Sequence, residues 1–265
     1  MQADFPACFL IEKGGVLLKI LITGASSGIG RDLARVFSKR GDELILTARR
    51  KERLEEIKKE CPKCKIITAD LTKEEEVFRL YNEVKGENID AVINNAGFGL
   101  FGEFSETDLK RELEMIDLNI RAVHILTKLF LHDFKKRDSG YILNVASSAS
   151  FLPGPLMSVY YATKAYVQRL TLAVSEELKK EKSNVYIGVF CPGPVNTEFN
   201  DVANVRFCLK GISSEYAAKY AAGNMLKKKN LIVPGRLIRL GLFAQRFVPM
   251  SVLLKISYNI QRKKS

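Results

Sequence analysis

The sequence predicts a single α/β domain, a doubly wound parallel sheet of six to seven strands with helices on both faces. Three observations lead there. Short apolar runs rich in β-branched residues alternate with stretches of helical spacing from about residue 18 to residue 235. A glycine-rich turn separates the first apolar run from the first helix. No linker, internal repeat or low-complexity stretch interrupts residues 16–235. Strands that are apolar throughout belong to sheets covered on both faces, and strand–helix alternation is the pattern that builds them. A chain of 265 residues, 46% of them hydrophobic, has enough material for one large core.

Residues 18–23 (LKILIT) read as a buried strand that runs straight into the glycine turn. In residues 29–40, Ile29, Leu33, Val36 and Phe37 recur at helical spacing, and Gly41 is a suitable left-handed C-cap. Residues 43–48 (ELILTA) are the second strand and the charged stretch 51–60 the second helix. Strand, helix and strand follow at 65–69, 73–85 and 90–94. A long helical region spans 107–136, then a strand at 141–146, a helix at 158–181 and the buried strand 185–190 (VYIGVF). A helix at 213–229 and a short strand at 231–233 complete the alternation.

The formal net charge of +12 sits at one end. Residues 1–204 carry 29 basic and 29 acidic side chains, whereas residues 205–265 carry 13 basic ones and a single acid, Glu215. A neutral body with a basic appendage is not a surface built for nucleic acid, and no such partner is expected. No stretch approaches the roughly 20 apolar residues of a membrane span, and residues 1–15 lack the features of a signal peptide. A cytoplasmic location is the expectation. Five cysteines, an odd and scattered set, fit free thiols in a reducing compartment. Cys61 and Cys64 form one CxxC, read as two thiols in a surface turn, because no second CxxC or nearby histidine completes a metal shell. His124 and His132 lie on an ordinary helix face, so no metal is expected.

Residues 1–15 form an N-terminal extension without helix period or strand alternation. Glu12-Lys13-Gly14-Gly15 can be encoded by a purine run resembling a bacterial ribosome-binding site, and Val16, Leu17 and Leu18 by alternative start codons. One reading is that natural translation begins at 16–18 and leaves this extension out.

Thr23-Gly24-Ala25-Ser26-Ser27-Gly28-Ile29-Gly30, set between a strand and a helix, has the form of a dinucleotide-binding turn. Gly24 lets the chain reverse, Gly28 lets backbone approach a pyrophosphate, and Gly30 permits close helix–strand packing, while the helix N-terminus offers N–H groups to the phosphates. The residue after the second strand meets the adenosine ribose. Ala48-Arg49-Arg50 has no acid there to repel a 2′-phosphate, and Arg49 can clamp one, which favours NADP(H) over NAD(H).

The spacing Gly-x-x-x-Gly-x-Gly resembles the short-chain dehydrogenase/reductase (SDR) family. Asn94-Asn95-Ala96-Gly97 after the fourth strand, Asn119, Ser147, Tyr160 and Lys164, and Cys191-Pro192-Gly193 after the sixth strand fit that resemblance in order, over about residues 18–235. It implies a Rossmann-like fold and a nicotinamide-dependent enzyme moving hydride between a carbonyl and an alcohol. It also implies a catalytic set of Asn119, Ser147, Tyr160 and Lys164. The cofactor residues it implies are Thr23, Gly24, Ser26, Ser27, Gly28, Ile29, Gly30, Arg49, Asp70, Asn95, Ala96, Gly97, Tyr160, Lys164, Pro192, Gly193, Val195 and Thr197, with Asp70 against the adenine.

Tyr160-x-x-x-Lys164 places both side chains on one helix face, one turn apart. A nearby lysine cation, with the charge of an oxidised nicotinamide, favours phenolate and lowers a tyrosine pKa from about 10, which suits an acid/base. Tyr161 has Ala165 four residues on, so it is read as packing or pocket lining. Ser147, preferred to Ser148 on spacing, can hold a carbonyl oxygen. By resemblance, the carbonyl region of Asn119 anchors a water leading to Lys164, and Lys164 also binds the nicotinamide ribose.

Phe98, Leu100, Phe101, Phe104, Phe151, Leu152, Leu156 and Met157 are the candidate lining, and residues 197–209 a substrate lid, so a lipophilic ketone, aldehyde or 3-oxoacyl substrate is expected. The resemblance implies a homodimer or homotetramer with residues 107–136 and 158–181 at the interface. In the C-terminal extension 236–265, Arg236, Arg239 and Arg246 fall on one side of an apolar helix that lies on an anionic membrane or packs within the protein or oligomer, packing being preferred. A cofactor-binding redox sensor would dispense with Tyr160 or Lys164, and a membrane-tethered scaffold rests on the tail alone; both are less economical than an enzyme.

Overall fold

The computed structural model describes residues 15–199, 203 and 211–262. All but Gly15 of the N-terminal extension, and all of the expected lid except residues 197–199 and 203, lie outside the described residues. In chain order the elements are β1 (Lys19–Thr23), α1 (Gly28–Arg40), β2 (Glu43–Ala48), α2 (Lys51–Glu60), β3 (Cys64–Thr68), α3 (Glu74–Val84), β4 (Ala91–Asn94), α4 (Leu109–Ile116), α5 (Val123–Lys136), β5 (Tyr141–Val145) and α6 (Ser158–Lys180). They continue with β6 (Tyr186–Phe190), β7 (Val195–Asn196), β8 (Ile212–Ser213), α7 (Ser214–Leu226), β9 (Leu231–Ile232), α8 (Arg236–Ala244) and α9 (Met250–Arg262).

Seven strands form one parallel sheet in the order β3-β2-β1-β4-β5-β6-β9. The apolar runs explain the layers. Ile20 and Ile22 of β1 enter one core with Leu33 and Phe37 of α1, Leu54 of α2 and the small Ala217, Ala218, Ala221 and Ala222 of α7. Leu21 points the other way, into a second core with Leu80 of α3, Met115 of α4, Phe130 of α5 and Leu178 of α6. Successive strand residues facing opposite layers is what makes a continuous apolar run the signature of a two-sided sheet. Gly41, at φ 101°, ends α1 with its N–H on Phe37 and Ser38 carbonyls. The next residue, buried Asp42, accepts the Leu18 N–H at 2.8 Å and starts the return.

The chain winds outward from β1 to β3, then jumps back to β4 beside β1 and winds the other way. Ligands of such sheets bind at that reversal, beyond the carboxyl ends of the strands. Both glycine-turn and Asn-Asn-Ala-Gly segments lie there.

The structure departs from the sequence reading at several places. The expected continuous helix over 107–136 starts only at Leu109, capped by Asp108, and is interrupted by a π-helical turn at Asp117–Ala122. A two-strand ladder, β7 with β8, lies outside the main sheet. It is two residues long and has no periodicity to detect. A second C-terminal helix, α9, follows the one anticipated from residue 236. Cys61 is fully buried and Cys64 half-buried at the start of β3, so the CxxC is a core-edge feature rather than a surface turn. Among the described residues no helix is long and apolar enough to cross a membrane, and no cluster of His, Cys, Asp or Glu is arranged to hold a metal ion.

Candidate active site

The glycine turn is held from beneath by β4. Thr23 Oγ1 accepts the N–H groups of Asn95 at 2.9 Å and Ala96 at 3.0 Å. The Asn95 amide donates to the carbonyls of Thr23 at 3.0 Å and Gly24 at 3.1 Å. These side chains brace the turn, and the glycines are forced by that bracing. Gly24 has φ +65°, and a Cβ there would stand 2.7 Å from the Ala96 Cα. A Cβ on Gly30 would fall 2.3 Å from the Gly24 oxygen and 2.4 Å from the Asn95 amide nitrogen. The first turn of α1 carries no acidic residue, so its free N–H groups and dipole face an anion unopposed. Thr197, after β7, packs against Gly28, where a Cβ would be 3.0 Å from its methyl. Val195 belongs to β7, pairing with Ile212. Ser26, Ser27 and Ile29 complete the turn, with Ser27 the N-cap residue of α1. This cradle of backbone N–H groups, kept open by glycines, fits a dinucleotide pyrophosphate.

At the end of β2, Arg49 is exposed. Arg50, to which the sequence reading gave no separate role, donates to Ser26 Oγ at 3.2 Å and pairs with Glu198 at 2.9 Å. Arg53 stands 3.8 Å from the same carboxylate. An ion pair thus joins the start of α2 to the segment after β7 across the mouth of the turn. Adjacency to Arg49 was a signal for Arg50; nothing in the sequence marked Glu198. Asp70, just past β3, accepts from the N–H and hydroxyl of Thr72 at 3.2 and 2.9 Å, which fixes its carboxylate in a turn.

Tyr160 and Lys164 both lie buried on the inner face of α6. Lys164 Nζ donates to the Val145 carbonyl at 3.0 Å and lies 6.0 Å from the Tyr160 ring centre. Ser147 follows β5 and caps a short 3-10 turn over Ser148–Phe151, its hydroxyl accepting the Ala149 N–H at 3.1 Å. Asn119 is wholly buried in the π-helical turn. Its amide oxygen accepts the Phe98 N–H at 3.1 Å, and its nitrogen donates to the Phe98 carbonyl at 2.9 Å and to Thr163 at 3.1 Å. A π turn offsets the helical ladder by one residue and is common where a helix serves a site. Gly97 sits where these groups meet: a Cβ on it would be 2.8 Å from Asn119 Oδ1 and 3.1 Å from Lys164 Nζ. Pro192 accepts the Ser148 N–H at 2.7 Å, and Gly193 packs against Ile238 of α8. The structure therefore gathers Asn119, Ser147, Tyr160, Lys164 and Gly97 from four separate elements.

Burial dominates the electrostatics of the chain by itself. Burial pushes the Tyr160 phenol well above its ordinary range, outweighing the opposing hydrogen bond with Ser147. Burial likewise pulls Lys164 down to about 8, with Cys191 opposing weakly. The lysine does not depress the tyrosine within the chain by itself, because desolvation dominates both groups.

The apolar surroundings also differ in part. Phe199 lies 5.3 Å from the Tyr160 ring centre and against Gly99. Met157 and Phe98 are buried, and Leu100 and Phe101 pack on the same cluster. Phe104 instead points to solvent, and Phe151 packs with Ile238 and Leu242 of α8. Tyr161 stacks on Gly154 and hydrogen-bonds Gln261 of α9.

Known proteins share this architecture. A family model described as short chain dehydrogenase matches residues 18–205. An uncharacterized oxidoreductase of Staphylococcus saprophyticus is 36% identical over 187 residues, 69% of this chain and 76% of that protein. Human 17-beta-hydroxysteroid dehydrogenase type 3 is 32% identical over 222 residues, 78% of this chain and 71% of that protein. A solved short-chain dehydrogenase from Sphingobium yanoikuyae in complex with NADPH superposes with a TM-score of 0.79 at 27% identity, over 89% of this chain and 95% of that one. With the glycine turn, the parallel sheet and the match over most of its length, the chain belongs to the short-chain dehydrogenase family of oxidoreductases.

Proposed function

We propose that the protein is an NADP(H)-dependent reductase of a carbonyl on a lipophilic small molecule. The observation that carries this is the buried Tyr160, beside Ser147 and one helical turn from buried Lys164. A bound nicotinamide would supply the hydride, held by the N–H groups of residues 24–30 and by Asn95, Ala96, Gly97, Pro192, Gly193 and Thr197. The chain's own residues manage the proton and the oxygen. Tyr160 remains a neutral phenol at physiological pH because burial disfavours its anion. It therefore begins as the proton donor, which suits reduction: its hydroxyl gives a proton to an oxygen that gains negative charge. Ser147 offers a second hydroxyl to that oxygen, an interaction that strengthens as charge develops. Lys164, close to half-protonation at about pH 8, stabilises the phenolate left behind and can pass a proton on. Asn119 fixes the backbone of Phe98, just after Gly97, and so holds the strand-end loop at its closest approach to Lys164.

Arg49 and Arg50, with no acid at the end of β2, support a 2′-phosphate, and the NADPH-bound Sphingobium relative agrees. Phe199, Met157, Leu100 and Phe101 support a lipophilic substrate, as does the human relative named for a hydroxysteroid. Exposed Leu109 and Leu113 on α4 and Tyr166 on α6 support a homo-oligomer through these helices. Purified protein mixed with NADPH and a panel of aldehydes, ketones and 3-oxoacyl thioesters tests the reading through the absorbance of the reduced nicotinamide. Consumption with a lipophilic member is expected. No consumption across the panel, while cofactor binds, would leave a cofactor-binding protein without turnover.

A further inference from the structure

The last two helices leave much of their apolar surface uncovered. A helix on a globular protein turns its apolar stripe inward and its polar face outward. In α9 the two buried side chains are polar, Ser257 and Gln261. They bond to the Pro153 carbonyl at 3.1 Å and to the Tyr161 hydroxyl. Met250, Leu254 and Tyr258 on one flank of that line, and Val252, Ile256 and Ile260 on the other, remain exposed, with Lys255, Asn259 and Arg262 on the side opposite it. In α8, Ile238 and Leu242 pack on the core, yet a second apolar stripe points outward. It comprises Leu237, Leu240 and Phe243, continued by Phe247, with Leu237 84% and Phe247 76% exposed. Of the eighteen exposed large apolar side chains among the described residues, ten fall between 237 and 260. Scattered exposed apolar residues need no explanation, but a concentration of this kind marks an interaction surface.

Charge identifies what covers it. After Glu215 the sequence has no acid, and eleven lysines and arginines follow from Lys219 to Lys264. Arg236, Arg239, Arg246, Lys255 and Arg262 are all exposed on or beside the two helices. A second copy of the same surface would oppose like charges across the contact. Long basic side chains flanking Leu, Ile, Phe and Tyr on helices too short to span are the composition of an element lying in a membrane interface.

We propose that α8 and α9 dock the protein on an anionic lipid surface, burying their outward apolar side chains among the acyl chains while the arginines and lysines meet the headgroups. Gln245 donates to the Phe151 carbonyl at 3.4 Å and Ser257 to that of Pro153. Both helices are thus tied to the segment between Ser147 and Tyr160, so the docked surface and the active-site rim are mechanically joined.

The test is flotation of the full-length protein with vesicles of phosphatidylglycerol and phosphatidylcholine, and with phosphatidylcholine alone. The protein is expected to float with the anionic vesicles at low salt, with an apparent affinity about tenfold or more weaker at high salt or on neutral vesicles. Leu240→Glu with Phe243→Glu, and separately Ile256→Glu with Ile260→Glu, should abolish flotation while the protein still unfolds cooperatively in a thermal melt, since about half of each side chain is exposed before docking. Wild type that stays unbound at low salt overturns the proposal. So does equal flotation of the glutamate variants, or a dimer by light scattering that the same substitutions dissociate, which would give the surface to a second copy. None of these readouts depends on turnover, so they stand apart from any failure of the proposed reductase activity.

Discussion

The buried lysine of the site gives a prediction in which stability and activity move in opposite directions. Lys164 is 5% exposed, and burial lowers its pKa from 10.5 to about 8. The sign follows from comparing the two states. Below about pH 8 the lysine is protonated both folded and unfolded, and the folded state bears the full desolvation cost. From there to pH 10.5 the unfolded chain holds a proton that the folded protein has released, and the cost fades. A depression of this size is worth about 3 kcal/mol. Lys164→Met removes that cost but leaves the Val145 carbonyl without its donor, about 1–2 kcal/mol in the other direction. The variant should therefore be about 1–2 kcal/mol more stable than wild type at pH 6.5 while losing turnover. Between pH 6.5 and pH 9.5 its advantage should shrink by about 2 kcal/mol. Urea unfolding of both proteins at the two pH values measures this. If Lys164→Met is less stable by the same amount at both, the lysine is not held against a desolvation cost and the reasoning is wrong.

Tyr160→Phe should lower turnover by about 10²–10⁴ while cofactor titration stays unchanged, and Tyr161→Phe, which touches Gln261 rather than Lys164, should be mild in a steady-state assay. Gly30→Ala should remove measurable cofactor binding by calorimetry, because its methyl would lie 2.3 Å from the Gly24 oxygen and displace the turn; binding at wild-type affinity would show that the turn is not the site. Arg49→Asp should weaken NADPH binding by about 2–5 kcal/mol and NADH little; a wild type that prefers NADH removes the argument. Thr23→Val, which deprives the Asn95 and Ala96 N–H groups of their acceptor, should destabilise the fold by about 1–3 kcal/mol in thermal melts.

Read alone, the sequence determined the fold class, the strand order of elements along the chain and the identity of the candidate site. These are local or periodic properties. A strand buried on both faces must be apolar throughout, as in LKILIT and VYIGVF, and a turn that lets backbone crowd backbone must be glycine, as at Gly24 and Gly30. Tyr160 and Lys164 were legible because one helical turn fixes their relation whatever surrounds them. Tertiary structure alone decided what depends on distant partners. The π turn at Asn119 exists where that side chain binds Phe98 and Thr163, residues 21 and 44 positions away. Arg50 acquires its place through Glu198, and Phe104 is left in solvent although its composition matched its neighbours. Burial, which no spacing reveals, pushes the Tyr160 pKa upward in the chain by itself. The polarity of α9 shows the same limit. A helical period tells which residues share a face, but only packing against Pro153 and Tyr161 decided that the inward line of α9 is Ser257 and Gln261 and that the apolar side chains flanking it stay uncovered.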